Sequence, residues 1–348
     1  MSDSARGPIG VLAINLGTPD APDTGAVRRY LREFLSDPRV IDIHPAGRWL
    51  LLNLVILPFR PAKSAEAYQQ VWTDEGSPLL VHGRALETGL QAELGEGFRV
   101  ALGMRYGRPS IASGLDRLAA EGCSRVVVFP LYPQAASSSS GSSLEAAYRE
   151  AGGRWDAPSL AAVPAFFDDE AFLDAQAALV AEALEGKQVE HLLFSYHGVP
   201  ERHCRKSDPS GSWCLASQDC CATLRAENAG CYRAQCFEQS RRIAQRLELQ
   251  IPWEVCYQSR LGRTPWIRPY TDERLTELAE AGVKRLGMVS GSFVADCLET
   301  LEELGLRARE DFAAAGGEEL VLAPALNSDP RWIAAAAGLV RRAASAFS

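Results

Sequence analysis

Apolar positions in this chain come in short blocks. Nearly continuous apolar runs at 10–17, 98–104, 125–131, 159–163, 191–196, 253–257, 285–290 and 319–323 each give way to glycine or polar residues. Blocks of this length, bounded by turn residues, predict buried strands. The stretches 24–35, 231–247 and 272–281 carry helical spacing instead, and further helices are predicted after 290 and at the C-terminus. Alternating units of this kind predict an α/β chain whose parallel sheets are covered by helices on both faces. The pattern runs through 1–158 and restarts over 159–348, which predicts two doubly wound lobes with a cleft between them.

Two of these strand ends carry candidate chemistry. The run Leu192-Leu193-Phe194-Ser195-Tyr196-His197-Gly198 delivers a histidine to the C-terminal edge of its sheet, where open α/β sheets bind ligands. Imidazole is the side chain best suited to move protons near neutral pH. The run Met288-Val289-Ser290-Gly291-Ser292-Phe293 opens a helix on which Asp296, Glu299 and Glu303 follow i, i+3, i+7 spacing. That spacing places three carboxylates on one face, beside the apolar Phe293-Val294-Ala295. A base facing a row of acids suggests proton and metal-ion traffic. The blander alternatives are a hydrogen-bonded structural histidine and first-turn acids that favour the helix dipole.

Composition narrows the partners. The formal charge is -8, from 36 basic and 44 acidic residues, which argues against nucleic acid. The apolar run 49–59 is short of the ~20 residues a spanning helix needs, so it is either core or a hydrophobic lip that touches a membrane reversibly. Residues 1–6 carry no secretory leader pattern, which predicts a cytoplasmic protein. The serine-rich run 137–143 precedes a helix at Leu144 and reads as an anion cradle or a capped linker. Without a Gly-Lys-Ser/Thr loop or a G-x-G-x-x-G turn, a nucleotide enzyme is not indicated.

Six of the nine cysteines fall within 204–236: Cys204, Cys214, Cys220, Cys221, Cys231 and Cys236. In a chain read as intracellular, such clustering indicates a metal or cluster site rather than disulfides. No pair has the Cys-x2-Cys spacing of a zinc knuckle. Irregular, thiolate-only spacing suits a [2Fe–2S] cluster better, with zinc or inert cysteines as alternatives. Cys214, Cys221, Cys231 and Cys236 are the expected ligands. Cys220 is an alternative to its neighbour Cys221, and Cys204 is the most dispensable.

Taken in order along nearly the whole chain, a set of short motifs resembles the ferrochelatases. They include Asn15-Leu16-Gly17-Thr18-Pro19, Gly76-Ser77-Pro78-Leu79, Met104-Arg105-Tyr106, Leu131-Tyr132-Pro133-Gln134, Phe194-Ser195-Tyr196-His197-Gly198, Gln258-Ser259-Arg260-Leu261-Gly262 and Asp296-Cys297-Leu298-Glu299-Thr300. The resemblance implies two Rossmann-like lobes flanking a porphyrin cleft, and insertion of Fe²⁺ into protoporphyrin IX. It places the proton-accepting, metal-facing pair on His197 and Glu299, with Asp296 and Glu303 along a polar path. Arg60, Lys63, Tyr68 and Ser77 fall on porphyrin-binding positions, Leu16 on a wall position, and Trp266 lies near the same site. An apolar Leu16 favours protoporphyrin IX, and Cys297 stands where many members carry histidine. Partners implied are porphyrin and Fe²⁺, with reversible contact at the inner membrane and with neighbouring haem-pathway enzymes. The alternatives are coproporphyrin III metallation, cobalt insertion into a corrinoid precursor, or a bilobal porphyrin-binding protein without catalysis.

Overall fold

A computed structural model describes residues 7–262 and 264–348; the expectation about a leader falls on residues 1–6, outside the described residues. The strands are β1 (Ile9–Thr18), β2 (Phe98–Gly107), β3 (Arg125–Pro130), β4 (Ser159–Ala162), β5 (His191–His197), β6 (Trp253–Gln258), β7 (Arg285–Ser290) and β8 (Glu319–Ala323). They form two four-stranded sheets, ordered β2-β1-β3-β4 and β6-β5-β7-β8. Every pairing is parallel.

The chain divides into two compact units. Among the described residues, the first holds 7–132, 137–164 and 327–348, and the second holds 133–136, 165–262 and 264–326. The closing helix Pro330–Ala344 therefore belongs with the N-terminal sheet, not with the C-terminal lobe as the chain order suggests. Its Trp332 is fully buried, with its ring 6.3 Å from that of Phe129 on β3. In the first unit, Leu12 and Ile14 of β1 pack with Ile111, Leu115, Val126, Val128 and Ala147. In the second, Leu193, Leu286 and Met288 pack with Leu275, Leu278, Leu304 and Phe312. Strands enclosed in this way need apolar side chains on both faces, which is why they read as continuous runs.

Three local expectations change. Ser137–Gly141 forms a π-helical turn that leads into the helix Ser142–Gly152, so it is not an open anion cradle. Ser142 is buried and donates to Asp37 Oδ2, which also accepts from Arg105 Nη2 (2.7 Å) and Tyr106 OH (2.8 Å). Asp37 Oδ1 accepts from the Arg39 amide at 2.7 Å. Burial alone would raise the Asp37 pKa, but the bonds from Ser142, Arg39 and Tyr106 and the Arg105 charge outweigh it and hold the carboxyl below its ordinary value.

The apolar run 49–59 is at once core and surface. It spans the end of the helix Pro45–Leu50, a π-helical stretch Leu51–Ile56, and the start of the helix Leu57–Val71. Leu52, Ile56 and Leu57 are buried, whereas Trp49, Leu54 and Phe59 are 60%, 60% and 76% exposed. Among the described residues no helix is long and apolar enough to cross a membrane.

The third change concerns the acids. Asp296 precedes the regular turns, and Glu299–Arg307 is π-helical before the chain continues as the helix Ala308–Ala314. A π-helix has more residues per turn than an α-helix, so it aligns residues four apart. Glu299, Glu303 and Arg307 share that face, with Glu303 and Arg307 4.0 Å apart.

Replacing Asp37 with asparagine leaves the largely buried Arg105 guanidinium without its counter-charge. It is expected to cost about 3 kcal/mol at neutral pH by denaturant unfolding. Because the folded pKa is depressed, the wild-type advantage is complete above the ordinary carboxylate range and is lost as pH falls through the Asp37 value. A gap between the two proteins that is unchanged down to pH 2 would contradict this.

Candidate active site

In the second unit the chain runs from β5 to β6 on one side, then returns to place β7 on the other side of β5. The C-terminal ends of β5 and β7 therefore flank a topological switch point, the usual ligand position in an open α/β sheet. His197 is the last residue of β5, and Gly291-Ser292-Phe293 follow β7. The two elements singled out by their sequence meet here: the His197 amide donates to Ser292 Oγ at 3.0 Å, and the His197 and Phe293 rings lie 6.4 Å apart, edge to face.

The imidazole tautomer follows from one contact. Nδ1 lies 2.7 Å from the Gly198 carbonyl oxygen. A carbonyl only accepts, so Nδ1 carries a proton, and in the neutral ring Nε2 presents the lone pair. Gly198 is required for close packing: a Cβ there would lie 3.0 Å from Ser259 O, 3.1 Å from Gln258 O and 3.2 Å from Trp266 Cε3. Trp266 thus sits against the residue that follows the base, its Nε1 donating to Leu261 O at 3.0 Å.

The three acids have different surroundings. Asp296 is buried and accepts from Thr300 Oγ1 (2.9 Å) and the Ala325 amide (3.4 Å), which ties the start of the turn to the segment after β8. Glu303 accepts from the Ser259 amide (3.1 Å), from Ser259 Oγ and from Gln258 Nε2 (3.4 Å). Glu299 is half-buried, and its backbone carbonyl accepts from Gln258 Nε2 at 3.0 Å. The Cys297 thiol hydrogen-bonds to the Glu299 side chain, and its pKa is raised first by burial and then by that carboxylate's charge.

Gln258 is paired with His197 across β5 and β6, and its Oε1 accepts from Ser195 Oγ at 2.9 Å. One amide side chain therefore links the strand of the base to the helix of the acids. The sequence reading noted Gln258 and Ser259 only as part of a motif. Tyr232 was missed altogether: its hydroxyl donates to His197 O (2.9 Å) and hydrogen-bonds with Ser292 Oγ (2.7 Å). It stands among the cysteines at the start of the expected 231–247 helix, where nothing in the pattern marks it for the site.

The remaining expected residues lie in the first unit. Arg60, Lys63 and Tyr68 share the helix Leu57–Val71, with Arg60 and Lys63 exposed and Tyr68 buried, its ring 6.1 Å from Trp72. Ser77 is buried and accepts from Thr18 Oγ1 at 2.7 Å. Leu16 is half-exposed near the end of β1, at that sheet's own switch point.

All six cysteines of the insert are buried and none forms a disulfide. Cys231 is their hub, with its sulfur hydrogen-bonded to those of Cys204, Cys221 and Cys214. Those bonds, from Cys204 first, draw the Cys231 pKa well below that of an ordinary thiol. Arg233 Nη1 donates to Cys221 Sγ at 3.2 Å and to Cys220 Sγ at 3.7 Å. Cys236 stands apart, fully buried and hydrogen-bonded to the Tyr232 side chain. The gathered set is thus Cys204, Cys214, Cys221 and Cys231, with Cys204 in the place expected for Cys236. Among the described residues no group of three or more His, Cys, Asp or Glu side chains is arranged to hold a metal ion as it stands. The donor chemistry nonetheless suits an anionic sulfur centre, since the thiols are buried and unoxidised and a guanidinium is directed at them.

Comparison with known proteins extends beyond this site. The Ferrochelatase family model matches residues 8–344. A ferrochelatase of Coxiella burnetii (strain Dugway 5J108-111) is 46% identical over 340 residues, covering 97% of this chain and 95% of the relative. One from Legionella pneumophila (strain Lens) is 45% identical over 332 residues, covering 95% and 98%. Among solved structures, SirB from Bacillus subtilis with Fe³⁺ superposes with a TM-score of 0.53 at 14% identity, covering 98% of this chain and 97% of that one, a likeness of fold alone. With its family model matched almost end to end and relatives at this level of identity, the chain belongs to the ferrochelatase family of metal chelatases.

Proposed function

We propose that this chain inserts Fe²⁺ into protoporphyrin IX, with release of the two pyrrole protons, and that His197 is the first proton acceptor. The observation that carries this reading is the Nδ1 contact with the Gly198 carbonyl, which leaves Nε2 as a base at the sheet's switch point. A pyrrole N–H gives up its proton only to an acceptor within hydrogen-bond reach, and a fixed tautomer avoids reorganisation at that step. Glu299 is the second group. It lies on the same sheet edge without the buried Thr300 and Ala325 bonds of Asp296 or the serine clamp of Glu303, and a carboxylate binds Fe²⁺ weakly enough to release it. Glu303 and Asp296 act mainly by holding the turn that carries Glu299.

The exposed Arg60 and Lys63 are proposed to meet porphyrin carboxylates, and Leu16 offers the apolar wall that suits protoporphyrin IX over coproporphyrin III. The apolar surface of Trp49, Leu54 and Phe59 is proposed to rest reversibly on the inner membrane from the cytoplasmic side, where an apolar substrate and product partition. The thiols centred on Cys231 are proposed to hold a [2Fe–2S] cluster. Bound there, it would crosslink the insert and respond to iron or redox state, since metal insertion itself transfers no electrons. Cys204, Cys214, Cys221 and Cys231 are the residues that would hold it.

His197→Ala is expected to lower porphyrin metallation, followed by Zn²⁺ insertion fluorescence, by about 100-fold or more, with porphyrin affinity little changed. Turnover within a few-fold of wild type would remove His197 from its role. Glu299→Gln should likewise reduce turnover more than affinity.

Serine at Trp49, Leu54 and Phe59 together should weaken sedimentation with anionic liposomes without lowering stability. The buried Leu52 and Ile56 would instead report on the core. Unchanged sedimentation of the triple variant would place the membrane contact elsewhere.

Protein purified without oxygen should be red-brown. The colour should be lost in Cys204→Ser and Cys231→Ser and kept in Cys236→Ser. Colourless protein with stoichiometric zinc would replace the cluster with a structural zinc site.

A further inference from the structure

We propose that Tyr232 is the positioning residue for His197 and that through it the cysteine insert is mechanically tied to the active site. The proposal rests on His197 being the proton acceptor, but on no particular occupant of the cysteine site.

On the β7 side of β5, regular pairing ends at Ser195 with Ser290, two residues before the base. Beyond it the Gly291 amide still reaches Ser195 O at 3.0 Å. The backbone of His197 is then served by side chains. Its amide donates to Ser292 Oγ at 3.0 Å, and its carbonyl accepts from Tyr232 OH at 2.9 Å. Tyr232 OH and Ser292 Oγ are 2.7 Å apart. The Tyr232 proton is committed to the carbonyl, so Ser292 donates its own proton to the Tyr232 oxygen while accepting from the His197 amide. Three hydrogen bonds close a ring in which every proton has one place. This ring holds the His197 amide and carbonyl where the β7-side ladder has ended, while on the other side His197 stays paired with Gln258 of β6.

Tyr232 is itself held by the insert. It is the first residue of the helix Tyr232–Arg246, whose N-cap is Cys231, the centre of the thiol group. Cys236, one turn on, hydrogen-bonds to the Tyr232 side chain. Tyr232 is buried, so its position is set by this packing rather than by solvent. A rearrangement of the sulfurs around Cys231 moves the residue peptide-bonded to it, and with it the His197 carbonyl. Small displacements of a positioned catalytic group cost rate rather than binding.

The test is a double-mutant cycle on the full-length protein, with porphyrin metallation and porphyrin binding measured for each variant. Tyr232→Phe keeps the ring and removes the donor. It is expected to lower kcat about 10-fold or more, with KM for porphyrin and the circular dichroism spectrum unchanged. Cys231→Ser is expected to lower kcat by a smaller factor, and the double variant to be no slower than Tyr232→Phe alone. Cys204→Ser repeats the cycle if Cys231→Ser does not fold. Wild-type kcat in Tyr232→Phe would overturn the positioning role, and factors that simply multiply would overturn the link to the insert. His197→Ala is run alongside: if it retains turnover, the base assignment has failed instead, a result distinct from an inactive His197→Ala beside a normal Tyr232→Phe.

Discussion

The hydrogen bond from His197 Nδ1 to the Gly198 carbonyl is the contact on which the proposed chemistry of this site depends. An imidazole free to choose its tautomer would present a donor or an acceptor with similar ease. One bound through Nδ1 to an oxygen that only accepts presents its lone pair at Nε2. The residue after the histidine stays close to β6, its amide donating to Gln258 O at 2.7 Å, and no room is left there for a side chain. Two backbone carbonyls and the Trp266 ring close around the position a Cβ would occupy. The glycine after His197, the tryptophan from a distant segment and the end of β6 thus meet in one packed position.

Much of this was legible in the sequence because the strands are buried on both faces. Enclosure forces apolar side chains at successive positions, and those blocks mark β1 to β8 and the ends where chemistry is placed. The position of His197 follows from that pattern alone. The acids were only partly legible. A three-and-four spacing reads as one α-helical face, but the turn is π-helical, and Asp296 falls outside it, buried and bonded to Thr300. Hydrogen-bond rings are harder still to see. Tyr232, Ser292, Gln258 and Ser259 come from three separate segments, and only the fold brings them to His197 and Glu303.

The insert and the apolar segment show the same limit from another side. Spacing gave no means of choosing four cysteines from six, because the choice depends on where the chain turns between 204 and 231. The helix that begins at Tyr232 points Cys236 toward its own tyrosine and leaves Cys231 at the helix N-terminus, where amide dipoles favour a thiolate. In 49–59, hydropathy alone could not separate core from lip, since residues of equal apolarity point both ways. Leu52 and Ile56 face inward, while Trp49, Leu54 and Phe59 face outward on the same turns.

The central claim is that the neutral imidazole of His197 keeps its proton on Nδ1 and its lone pair on Nε2. Nitrogen-15 NMR of protein labelled at histidine reads this directly, because protonated and unprotonated ring nitrogens resonate far apart. The His197 signals would be assigned by comparison with the His197→Ala variant among the five histidines of the chain. For the neutral ring the account predicts a protonated Nδ1 and an unprotonated Nε2. A protonated Nε2 beside an unprotonated Nδ1 would contradict it.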